Sequence, residues 1–90
     1  MELKRVVVTG LGAVTPVGNT PEETWANLLA GKSGAAPITH FDTTNFKTKF
    51  ACEVKDLNVA DYIDRKEARK MDRYTQLAII SAMQGIKDSG

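Results

Sequence analysis

Ninety residues limit the chain to one small domain at most. Hydrophobic residues make up 42% and charged residues 26%, with no biased tract, which argues against a disordered or low-complexity chain. The net charge of +1 gives no global case for nucleic acid or membrane, so any charge-based recognition must be local.

The single cysteine, Cys52, has no partner for an internal disulfide or for metal-ligand spacing. No apolar run has the length of a secretory core, and none approaches the roughly 20 residues of a membrane span. A reducing, cytoplasmic setting is therefore expected. Neither a cofactor nor a metal is called for.

Residues 4–9 read as a strand. The consecutive β-branched run Val6, Val7 and Val8 suits a strand covered on both faces, as in a parallel sheet between helices. Gly10, Gly12, Pro16 and Gly18 then mark a loop. A helix follows. Thr20 is placed to cap it, Pro21 fits its first position, Glu23 completes a capping box, and Gly31 supplies the stop. Trp25, Leu28 and Leu29 share one face of that helix.

Residues 31–44 read as loop. Within residues 46–54, Phe46, Thr48, Phe50, Cys52 and Val54 alternate with Lys47, Lys49, Ala51 and Glu53. This period of two predicts an edge strand or hairpin partner with one apolar face. Asn58 is placed to cap a short turn through Ile63. Asp64 with Glu67 resembles a further cap pair, opening a helix over residues 65–89 with a break near Met71 and Asp72 and a stop at Gly90.

At about 100° per residue, Arg65, Lys66, Arg69, Lys70 and Arg73 fall in one broad sector of that helix. Beyond Tyr74 apolar residues lie on both sides: Ala78, Ala82 and Ile86 against Leu77, Ile80 and Met83. Such a helix is buried all round. Two strand candidates supply too little cover for it, so the sequence reads as an incomplete domain.

V-V-V-T-G-L-G opens like a dinucleotide fingerprint, but Thr15 stands where its third glycine belongs and no helix starts at the glycines. A tight strand-to-loop turn is the better reading. Cys52 invites a nucleophile reading, yet its expected mid-strand position beside Phe50 and Val54 favours a buried, inert thiol. His40, the only histidine, lies in a loop, and nothing in the sequence orients a Cys–His pair. The basic cluster R-K-E-A-R-K-M-D-R suits phosphate or an acidic partner, set against a merely solvated helix face. Nucleic acid is disfavoured because no wider basic surface or aromatic platform accompanies the cluster.

Residues 5–18, R-V-V-V-T-G-L-G-A-V-T-P-V-G, closely resemble the opening of the β-ketoacyl-acyl-carrier-protein synthases. So do T-W-A-N-L-L-A-G-K-S-G at residues 24–34, F-D at residues 41–42 and R-K-E-A-R-K-M-D at residues 65–72. G-N-T-P-E-E-T-W and R-K-M-D are similar to the type II branch. Polyketide ketosynthases and chain-length factors share parts of the opening and remain alternatives. A free-standing binding module is a third.

The resemblance implies an α/β, thiolase-like fold with mixed sheets between helices, of which residues 1–90 are an incomplete N-terminal portion. It implies a homodimer and the condensation of an acyl-enzyme with malonyl carrier protein to give a 3-oxoacyl product and carbon dioxide. The family's nucleophile sits in a T-A-C-T-S type motif that A-C-E at Cys52 does not match. His40 matches neither family histidine. No catalytic residue is therefore expected here. The resemblance does assign Lys66, Arg69 and Lys70 to docking of the acidic acyl carrier protein. Arg65 and Arg73 have less support as extensions of that patch.

Overall fold

The structure is a computed structural model describing residues 2–90. Helix α1 spans Pro21–Leu29. Its cap forms as the sequence predicts, with the Thr20 hydroxyl accepting from the Glu23 N–H at 3.2 Å. At the other end Gly31 adopts φ +72°. There the Gly31 N–H reaches the Leu28 carbonyl and the Lys32 N–H reaches the Asn27 carbonyl, both at 3.0 Å. This pair of bonds is a left-handed helix stop, which glycine enters without a β-carbon clash.

Strands β1 (Ala35–Pro37) and β2 (Phe50–Cys52) pair antiparallel, with Ala36 opposite Ala51. β2 confirms a hairpin-partner strand. β1 corrects the loop reading of residues 31–44: alanine and proline have little strand preference of their own, and pairing with β2 overrides it. The expected facing is also corrected. Phe50 is 65% exposed and Cys52 is exposed, while Ala51 between them is half-buried. The apolar face of the alternation thus points outward, and Cys52 is not a buried thiol.

Residues 4–9 form no strand. Val6, Val7 and Val8 stay exposed, because no second strand lies alongside them among the described residues. A central strand exists only through its neighbours' hydrogen bonds.

Asn58 caps a single 3-10 turn at Val59–Asp61, accepting from the Ala60 N–H at 3.2 Å. Two helices follow, α2 (Arg65–Ala68) and α3 (Arg73–Ser89), the latter ending on Gly90. The break falls where the sequence predicts it. Asp64 makes no side-chain cap bond, contrary to the expected cap pair.

Helix α3 organises the molecule. The Gln84 amide accepts from the Ala13 N–H at 2.9 Å and donates to the Asn19 carbonyl at 2.6 Å, clamping the glycine loop to the helix. Asp88 accepts from the Leu11 N–H at 3.0 Å. The Lys55 ammonium gathers the carbonyls of Pro16, Gly34 and Glu53 at 3.3, 2.7 and 3.0 Å, tying this loop to the hairpin.

Ile80 is fully buried and Ile63 nearly so, whereas Met83 and Ile86 on α3 and Trp25, Leu28 and Leu29 on α1 are exposed. The all-round apolar helix is therefore covered on one side. A compact monomer of 9.8 kDa exposes roughly 5,200 Å², against 7384 Å² here. Its radius of gyration would be about 12 Å, against 16.6 Å.

Candidate functional site

The basic residues sit on the short helix α2 and the turn that ends it. The Ala68 N–H reaches the Asp64 carbonyl at 2.8 Å and the Arg69 N–H reaches the Arg65 carbonyl at 3.1 Å. The chain then tightens: Lys70 bonds back to Glu67 and Met71 to Ala68, both at 3.1 Å with three-residue spacing. Asp72 is extended and begins α3. The Gln76 side chain reaches back from α3 to the Ala68 carbonyl at 3.0 Å, holding the two helices together.

This break corrects the single-sector reading. Angular periodicity holds only within one helix, and Arg73 starts a second one. Lys66, Arg69 and Lys70 remain exposed on α2 and its terminal turn. Lys70 lies 3.7 Å from Glu67, an exposed pair that partly offsets its charge. Arg65 and Arg69 border a groove of about 450 Å³ floored by Val59 and Ile63 and flanked by Asn58 and Gln76. The sequence signal for this grouping is the four-residue spacing of the two arginines. Gln76, from the next helix, carries no such signal.

The other candidates do not assemble into a reactive site. His40 pairs with Glu53 at 3.3 Å rather than with a thiol. Glu53 also accepts from the Thr39 N–H and hydroxyl at 3.2 and 3.0 Å. Desolvation pushes the Glu53 carboxyl up, but the Thr39 bonds and the neighbouring His40 outweigh it and hold the group below its ordinary range. Among the described residues no cluster of His, Cys, Asp and Glu has the makings of a metal site. Among the described residues no helix is long and apolar enough to cross a membrane.

The glycine pair after residue 9 has a packing role. A β-carbon at Gly10 would strike the Gly85 carbonyl, and one at Gly12 would strike the Ser81 carbonyl. These glycines let the loop backbone lie directly on α3, a packing role beyond the turn that the sequence predicts.

Residues 3–90 match the family model described as "Beta-ketoacyl synthase, N-terminal domain". The chain is 52% identical, over its whole length, to a protein of Vibrio cholerae named 3-oxoacyl-[acyl-carrier-protein] synthase 2, covering 22% of that protein. A Synechocystis protein of the same name is 47% identical over 99% of the chain and 21% of its own length. Among solved structures, the ishigamide ketosynthase/chain length factor aligns at a TM-score of 0.85 with 40% identity, over 93% of this chain and 21% of that one. The chain thus spans about a fifth of the length of the relatives it matches. The helix–hairpin–helix arrangement is accordingly the N-terminal part of a thiolase-like α/β fold, and the chain belongs to the β-ketoacyl synthase family.

Proposed function

We propose that residues 1–90 are the N-terminal portion of the N-terminal domain of a 3-oxoacyl-acyl-carrier-protein synthase of the type 2 branch. The whole protein takes an acyl group onto a cysteine thiol and decarboxylates malonyl carrier protein. The carbanion so formed attacks the thioester, giving a 3-oxoacyl carrier protein two carbons longer and carbon dioxide. It works as a cytoplasmic homodimer in fatty-acid elongation. The observation that carries this is the level of identity, 52% and 47%, to relatives bearing that name over nearly the whole chain.

No residue of this chain is assigned to the chemical step. Cys52 is exposed on a hairpin strand and His40 is engaged with Glu53. The chain's own contribution is recognition. Lys66, Arg69 and Lys70 present an exposed basic surface to the acidic carrier protein, which steers encounter and orients the thioester. No cofactor and no nucleic acid enter the reaction.

The solved relative described as a ketosynthase/chain length factor favours a second reading, a non-catalytic partner subunit. The full-length protein separates the two. A T-A-C-T-S type motif, with a 3-oxoacyl product detected by mass spectrometry from acyl- and malonyl-carrier protein, is expected for the enzyme. Replacement of that cysteine by a residue without a thiol, with no product, would establish the partner subunit instead.

A further inference from the structure

Three backbone carbonyls converge on the ammonium of Lys55: Gly34 at 2.7 Å, Glu53 at 3.0 Å and Pro16 at 3.3 Å. They come from three separate segments, the turn after α1, the residue beyond β2 and the glycine loop. An ammonium has three donors and no acceptor, so three carbonyls satisfy it completely. Among the described residues no carboxylate lies within ion-pair distance of Lys55. Its charge is thus met by carbonyl dipoles rather than by a counter-ion, although Glu23 and Asp56 border the same cleft of about 230 Å³.

Contacts that do not involve the ammonium bring these carbonyls together. Gly34 and Glu53 stand one step beyond Ala35 and Cys52 in the hairpin register, so β pairing places their backbones side by side. Gly34 also lies against Pro16, where a β-carbon on residue 34 would come within 2.7 Å of the Pro16 Cβ. The lack of a side chain at Gly34 is what admits this close approach. Lys55 is held in its turn. Its carbonyl accepts from the Asn19 side-chain amide at 3.0 Å, and the Asn19 carbonyl accepts from Gln84 of α3 at 2.6 Å.

We propose that the carbonyls of Pro16, Gly34 and Glu53 form a binding site for a primary ammonium ion, which Lys55 fills from within the chain. Lys55 acts there as a tethered cation that locks the hairpin to the glycine loop. The site belongs to the backbone, so removal of the lysine side chain leaves it open to a small ammonium ligand from solution. Ammonium suits it better than guanidinium. A compact head turns its donors to three converging acceptors, whereas arginine spreads its donors in one plane.

The test uses the full-length protein and thermal melts. Lys55→Ala is expected to lower Tm by about 2–4 °C. Methylammonium chloride is expected to restore about half of that loss or more, with the concentration dependence of a ligand that binds only the folded state. Tetramethylammonium chloride has the same charge but no N–H donor and is expected to restore none. Wild type is expected to respond alike to the two salts, because Lys55 already fills the site. An equal response of Lys55→Ala to both salts overturns the proposal.

Lys55→Arg keeps the charge and loses the compact head, and it is expected to melt below wild type. A wild-type Tm in that variant shows that charge alone suffices and overturns the three-carbonyl site. Should Lys55→Ala not fold, a crystal structure of the full-length wild type decides: an ammonium farther than about 3.5 Å from two of the three carbonyls makes no hydrogen bond to them and overturns the site.

Discussion

The backbone of Gly12 lies so close to Ser81 on α3 that a β-carbon at Gly12 would collide with the Ser81 carbonyl oxygen. The contact is asymmetric. A β-carbon at Gly85, one helical turn further on, would meet the Gly12 nitrogen at 3.6 Å, an ordinary van der Waals distance.

Gly12→Ala is therefore expected to destabilise the full-length protein by about 1–3 kcal/mol, the scale of overpacking. Gly85→Ala is expected to be neutral or stabilising, by up to about 1 kcal/mol, because alanine favours the helix interior. Denaturant melts of the two variants check this. Equal losses would show that the loop does not rest on α3 in this way.

Stability near the hairpin depends on the charge of Glu53. Its folded pKa lies below the ordinary value of 4.5, so its ionised form contributes stability above that value and loses it as pH falls through the lower, folded value. Glu53→Gln is expected to cost stability near neutral pH, with the gap to wild type closing as acid protonates the wild-type carboxyl. Asp42, also lowered by the Thr44 hydroxyl and N–H, titrates in both proteins and cancels from the difference. Thermal melts of the full-length protein between about pH 7 and pH 3 give the gap; a gap constant with pH contradicts the assignment.

Reversal of Lys66, Arg69 and Lys70 to Glu in the full-length protein tests docking kinetically. One exposed pair contributes only about 0.2–1 kcal/mol. Like charges set against an acidic partner cost more, roughly several kcal/mol for all three. The expected result is a raised KM for carrier-protein substrates, deepest at low salt where screening is weak. Turnover of coenzyme A or pantetheine thioesters is expected to change little. Equal losses on both substrate kinds would mean that the cluster acts through folding.

The 90-residue chain by itself is expected to self-associate and to melt without a sharp transition. Val6 is 90% exposed, Val8 80%, Ile86 72% and Leu29 69%, and exposed apolar surface of this kind drives association. Sedimentation velocity and circular-dichroism melts measure both properties. A monomer with a cooperative transition would contradict the expectation.

Local rules made much of this chain legible. The Thr20 cap, the Gly31 stop, the Asn58 turn and the break before α3 each depend on residues within a few positions of one another. Backbone and side-chain preferences act over that same range. The family was legible as a resemblance, carried by the motifs at residues 5–18, 24–34, 41–42 and 65–72. Tertiary structure decided the rest. Residues 6–8 have strand composition but form no strand, since a ladder requires a neighbour. Ala35, Ala36 and Pro37 lack strand composition yet become β1, since β2 supplies that neighbour. The alternation through Phe50 and Cys52 was visible, but not which face would be covered, because packing rather than period determines burial. Likewise the spacing of Arg65 and Arg69 is written in the sequence. The groove they border is not, for its lining includes Gln76, delivered by the next helix.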